Sequence, residues 1–154
     1  MRKPYKSFVD ATTSVVLFSM LMFVNVGARD ILQDYLWRNR LIIIFTPTLS
    51  NTLFIKQSDL LNSQTAELID RDLRLIIVPK NAAPIIDGKR SFLSSADFFK
   101  RFNVQDDEFA LILIGKDGTA KLKRVNKVVP PKELYQRIDA MPMRRAEMAA
   151  KDSL

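Results

Sequence analysis

Leu41-Ile42-Ile43-Ile44-Phe45-Thr46-Pro47 decides the reading of this chain. No polar residue interrupts its apolar part, so it reads as a strand buried on both faces, closed by a Pro-containing turn. In open α/β sheets the working site lies in the crevice just past the carboxyl end of such a strand. That position holds Thr46-Pro47-Thr48-Leu49-Ser50-Asn51, with no Cys, no His and no carboxylate. The stretch gives a fold and an address, but it names no reaction.

Working outward, Ser50 or Asn51 is placed to cap a helix running to about Ile69. Its Leu53, Phe54, Leu60, Leu61 and Leu68 recur at helical spacing and should face the sheet. Asp70-Arg71-Asp72 ends it. Residues 73–78 read as a second strand, rich in β-branched residues and closed by Pro79, and residues 80–91 as a loop. Ser94 or Ser95 caps a short helix over 96–102, whose Phe98, Phe99 and Phe102 share one side. Residues 109–114 form a third apolar strand. Gly115-Lys116-Asp117-Gly118 is a hairpin signal, and residues 119–125 return as an edge strand carrying Lys121 and Lys123. Pro130-Pro131 opens a helix lined by Leu134, Ile138 and Met141, and Pro142 breaks it. Residues 143–151 extend it as a polar helical segment, with Arg144 and Glu147 one turn apart.

Upstream, residues 29–39 read as a short helix or turn, with Leu32, Leu36 and Trp37 covering one end of the core. Residues 1–28 carry an export-type pattern. Arg2, Lys3 and Lys6 precede a short apolar run, and Val26-Gly27-Ala28 supplies small residues for cleavage before Arg29. The run is short for a membrane span, which takes about 20 residues, but an uncleaved anchor is the alternative. Either way the domain, set at residues 29–148 with a polar tail over 149–154, is expected outside the cytoplasm, periplasmic or extracellular.

The chain has 154 residues, of which 47% are hydrophobic and 27% charged, which suits one globular domain. It contains neither cysteine nor histidine. That excludes thiol redox chemistry, disulfides, Ser-His and Cys-His dyads and most zinc sites. A net charge of +7 suits an anionic partner or membrane surface. No basic block interleaved with aromatics points to nucleic acid.

The element order, strand-helix-strand-helix-strand-strand-helix, predicts a mixed four-stranded central sheet flanked by helices. The first two strands are parallel, the third lies antiparallel beside the first, and the fourth sits at the edge. This pattern resembles the thioredoxin and peroxiredoxin fold, whose reactive Cys follows the first core strand. Here Thr46, Pro47, Thr48 and Ser50 occupy that region as a vestigial redox position. Four stretches carry a narrower resemblance: 36–41 (LWRNRL), 67–73 (ELIDRDL), 113–118 (LIGKDG) with Lys121, and 138–148 (IDAMPMRRAEM). They resemble the bacterial domain of unknown function 4174, also called the DUDES domain, related copies of which occur in animal extracellular matrix proteins. The resemblance implies an exported thioredoxin-like domain and carries no established activity.

Three groups are candidate sites. Lys116, Asp117 and Lys121 on the hairpin, with Asp139, Arg144 and Glu147 near the end of the chain, form the first. Asp117 would then shape the turn while Asp139, Arg144 and Glu147 pair to pin the C-terminal tail, or Arg144 would offer a planar fork to a carboxylate or phosphate beside Met141-Pro142-Met143. Asp106-Asp107-Glu108 lacks the ligand alternation of a calcium loop and is set aside as a metal site. Thr46, Thr48 and Ser50 could hold an anion at a helix start, though such hydroxyls usually cap, and Ser50 has no base beside Lys56. The leading expectation is a non-catalytic exported module, without cofactor or metal, that binds another protein or an anionic envelope component. One alternative is a redox-independent enzyme using Asp139 or Asp117 as acid or base. The other is a basic module held at a membrane surface.

Overall fold

The computed structural model describes residues 32–153. The export-type segment at residues 1–28 lies outside them. Strand β1 (Arg40–Thr46) is buried along its whole length. Its alternating side chains divide the core into two layers, as strand geometry requires. Leu41, Ile43 and Phe45 meet Ile76, Val78, Ile112, Phe98 and Phe99 on one side of the sheet. Ile42 and Ile44 meet Phe54, Leu61, Leu111, Leu113, Leu134 and Ile138 on the other. A strand covered on both faces must be apolar at every position, which is why 41–45 shows no alternation.

Helices α1 (Thr52–Asn62) and α2 (Thr65–Asp70) lead to β2 (Leu73–Pro79), parallel to β1. The two-residue strands β3 (Ile85–Ile86) and β4 (Lys89–Arg90) follow, then α3 (Ser95–Phe102). Strand β5 (Ala110–Ile114) runs antiparallel beside β1, and β6 (Ala120–Val125) pairs with it at the edge. Helices α4 (Pro131–Asp139) and α5 (Pro142–Asp152) complete the chain. The sheet order is β4-β3-β2-β1-β5-β6, a thioredoxin-like arrangement.

Six strands stand where four were expected. The extra pair lies in the stretch expected as loop, 80–91, and turns at Asp87-Gly88, both with positive φ (46° and 81°). Asp-Gly is a tight-hairpin signal, but strands of two residues show no periodicity to accompany it. The expected helix to Ile69 is two helices, interrupted at Ser63, whose Oγ donates to the Leu60 carbonyl at 2.9 Å. A serine hydroxyl competing for a helix carbonyl in this way loosens the turn. Leu60, expected to face the sheet, is exposed, while Phe54, Gln57 and Leu61 are the buried residues of α1. Trp37, expected to cover the core, is 66% exposed. Asn51 and Ser94 are the caps: Asn51 accepts from the Leu53 and Phe54 N–H groups, and Ser94 from the Asp97 N–H. None of the helices among the described residues is long and apolar enough to cross a membrane.

Candidate functional site

The two ends of β1 differ in kind. At its carboxyl end Thr46 is fully buried and its hydroxyl donates to the Thr48 carbonyl at 2.6 Å. The Thr48 and Ser50 hydroxyls lie 3.1 Å apart, and the Thr46 carbonyl accepts from the Lys80 N–H. With Asn51 engaged in capping α1, the polar side chains of this turn are bound within it or to the start of α1. Thr46, Thr48 and Ser50 are brought together, with Pro47 in the same turn, and their geometry is that of a closed turn.

The amino end of β1 is ionic. Arg40 opens the strand, is 1% exposed, and donates to both carboxylate oxygens of Glu147 on α5 at 3.0 and 3.1 Å. It also donates to the Arg71 carbonyl at 3.0 Å. Lys116 in the β5–β6 hairpin reaches Glu147 and Asp72, each at 2.8 Å. Arg71 forks onto Asp139 at 2.7 and 3.0 Å and lies 4.4 Å over the Tyr135 ring. Arg144 bonds the Asp70 side chain and carbonyl and reaches Asp139 at 3.3 Å; Lys151 also bonds Asp70. Buried ions persist only when paired in this manner.

The titration shifts follow from these contacts. Burial alone would raise the Glu147 carboxyl, but hydrogen bonds from Arg40 and Lys116 outweigh it and hold it below its ordinary value. The Lys151 hydrogen bond, aided by Arg144, lowers Asp70. Burial opposes the charge of Lys116, yet Asp72 and Glu147 raise its pKa. Asp117 is lowered too: the bonds from Lys121 and Thr119 overcome the effect of burial.

Beside this network lies a cleft of about 890 Å³, open on one side, walled by the β5–β6 hairpin, the end of α4 and the Met141-Pro142-Met143 corner. Arg40 and Lys116 contribute to its lining, so the ion pairs form one of its walls. Trp37 is a rim residue, set by two local features. Its N–H donates to the Lys116 carbonyl at 2.7 Å, and its φ of 63° turns the backbone into the left-handed region, which bulky side chains rarely enter. Gly118, at φ 75°, lets the hairpin close against Leu36: a Cβ there would meet Leu36 Cδ2 at 2.6 Å.

The six residues expected together are thus divided. Lys116, Asp117 and Lys121 line the cleft, with Lys121 bonded to Asp117 at 2.7 Å. Asp139, Arg144 and Glu147 belong to the adjoining network, joined to the cleft through Lys116. The Arg144 fork is 3% exposed and occupied by Asp70 and Asp139, so it is not open to a partner. Asp106 pairs with Lys80 at 3.0 Å and Glu108 accepts from the Gln105 N–H. Sequence reasoning missed Arg40, Arg71, Asp70 and Asp72 as site residues. The signals were an arginine abutting an apolar strand and the charged triplet at 70–72.

The model of the family described as Domain of unknown function (DUF4174) matches residues 31–147. The chain is 27% identical over 143 residues to coiled-coil domain-containing protein 80 of Danio rerio, covering 81% of this chain and 16% of that protein. It is 30% identical over 137 residues to the sushi repeat-containing protein SRPX of Rattus norvegicus, covering 82% of this chain and 29% of that one. The chain spans less than a third of either relative's length. Among solved structures it is similar to the reduced 2-Cys peroxiredoxin of Plasmodium vivax, with a TM-score of 0.55 and 19% identity over 76% of this chain and 84% of that one. Thioredoxin peroxidase I of Plasmodium yoelii gives 0.53 and 17% identity over 71% and 76%. Likeness at this level establishes the fold alone.

Proposed function

The chain belongs to the DUF4174 family, and from that premise we propose that it is a non-catalytic, exported binding module that engages another protein through the cleft at the amino end of β1. Trp37 is the observation that carries the reading. An indole 66% exposed, on a backbone conformation unfavourable for its size, beside a cleft lined by methionine and proline, suits a recognition surface. The closed hydroxyl turn at the carboxyl end, without thiol or imidazole, supports the non-catalytic part. The pattern of residues 1–28 supports export, and the protein recovered from outside the cytoplasm should begin at Arg29. A cytoplasmic protein retaining that segment would contradict this.

Affinity purification of the full chain from the cells that make it, followed by mass spectrometry, tests the function. Met143→Asp in the cleft should release the partner, whereas Ser50→Ala at the other end should retain it, both variants melting near the parent. Loss with Ser50→Ala and retention with Met143→Asp would overturn the proposal.

A membrane-surface reading has one observation in its favour. Phe92 is fully exposed, two residues after Arg90 and three after Lys89, and neither cation has an ion-pair partner among the described residues. Two cations contribute about 1 kcal/mol each at an anionic surface, too little for stable attachment without a second anchor. Vesicles of phosphatidylserine and phosphatidylcholine should therefore retain the full chain only if residues 1–28 remain attached.

A further inference from the structure

We infer that the cleft recognises an acidic peptide segment, seating an apolar or aromatic side chain between Trp37 and the Met141-Pro142-Met143 corner while flanking carboxylates meet Arg137. The inference rests on the binding-module reading and names the class of partner. The charges of the cleft and its surroundings are unequal in availability. Arg40 and Lys116 are held by Glu147 and Asp72, Lys121 by Asp117, and Glu133 by Arg124 at 2.8 Å. Arg137, exposed in the last turn of α4, lines the cleft and has no ion-pair partner among the described residues. Arg38, adjacent to Trp37, and Arg145, one turn along α5 from Pro142, are likewise exposed and unpaired among the described residues. Each carboxylate lining the cleft is already neutralised, so the uncommitted charge at this surface is positive. A guanidinium free to fork selects carboxylates, and an indole beside thioethers selects a flat or branched apolar group. The chemistry that satisfies both is a carboxylate next to a bulky apolar residue on an extended chain. A basic segment would face the unpaired Arg137, with Arg38 and Arg145 adding positive charge outside the lining, and a purely apolar one would leave Arg137 without counter-charge.

The test uses the full chain and two blocked, fluorescein-labelled nonapeptides read by anisotropy. One alternates Asp or Glu with Leu and Phe; the other keeps the order with Asn and Gln in place of the acids. Trp37, the chain's one tryptophan, gives a second readout through its emission. The acidic peptide should bind at least tenfold more tightly than the amide peptide and shift the Trp37 emission to the blue. Arg137→Glu should remove that preference without changing the melting temperature, and Met143→Asp should weaken both peptides. Equal binding of the two peptides, or an unchanged preference in Arg137→Glu, would overturn the inference. So would equal competition by polyaspartate and dextran sulfate at matched charge, because charge alone would then be read. If neither peptide binds while affinity purification returns a partner lost in Met143→Asp, the inference falls and the binding-module reading stands. If purification also returns no such partner, both fall.

Discussion

At the carboxyl end of β1, polar side chains close on neighbours two or three residues away: Thr46 on Thr48, Thr48 on Ser50, Asn51 on Leu53 and Phe54. At the amino end they reach across the chain, Arg40 to Glu147 over 107 positions and Arg144 to Asp70 over 74. Both ends flank the same apolar strand, about 20 Å apart at the usual rise per residue. The hydroxyls of the local end are engaged within the turn itself, and the Thr46 carbonyl reaches further, accepting from the Lys80 N–H. The long-range end needs the tertiary fold to exist, and in return it fixes α5 and the corner before it. That corner supplies the cleft with Met141, Pro142 and Met143. Where the polar bonds are long in sequence, they also shape a surface.

Glu147→Ala should give the largest effect. It leaves the buried Arg40 guanidinium with only the Arg71 carbonyl, and losing one partner of a buried pair costs about 3–5 kcal/mol. Urea denaturation measures it, and a loss below about 1 kcal/mol would place the pair among weak surface contacts. Acid should act next, and at the same end. Glu147 and Asp70 are held below their ordinary values of 4.5 and 3.8. Their contribution is fully present above those values and lost as pH falls through the lower folded ones. The melting temperature should therefore stay level from pH 7 to about 5 and fall below it, less steeply in Glu147→Gln. An equally steep fall in that variant would move the acid sensitivity elsewhere.

Thr46→Val keeps the shape of the side chain but leaves the Thr48 carbonyl without its donor, at a cost of about 1 kcal/mol by denaturant titration. A cost equal to that of Glu147→Ala would erase the contrast between the two ends. Smallest are Ser50→Ala and Arg137→Glu, each within about 0.5 kcal/mol of the parent, because both side chains are exposed. They sharpen the comparison through binding, where only Arg137→Glu should matter.

Local signals carried much of the fold. The unbroken run at 41–45 marked a strand buried on both faces, Asp117-Gly118 marked the hairpin, and the pairs Ser50/Asn51 and Ser94/Ser95 marked helix starts, of which Asn51 and Ser94 cap. Each depends on residues adjacent in sequence. The β3–β4 hairpin was hidden because two-residue strands have no period, and the break at Ser63 because a single hydroxyl decides it. The site was harder to see. Arg40 and Glu147 lie at opposite ends of the domain, and neither periodicity nor spacing links them. Arg144 was expected to pair with Asp139 and Glu147, which lie 3.3 and 3.8 Å from it, but its further partner Asp70 comes from 74 positions away and no spacing announces it. The exposed Trp37 was read as core because an indole usually packs, and its left-handed backbone leaves no mark in the sequence. Gln57 is a further case. It is fully buried and exchanges two hydrogen bonds with the Val129 backbone at 2.7 and 3.0 Å, tying α1 to the approach to α4.

The claim that the amino-end cleft is the working surface is tested most directly by photo-crosslinking the full chain in the cells that make it, with the crosslinker at position 143 in one preparation and 48 in the other. The account predicts a single dominant crosslinked protein from position 143 and none from position 48. The same product from position 48, with position 143 silent, would contradict it and return the function to the turn after β1.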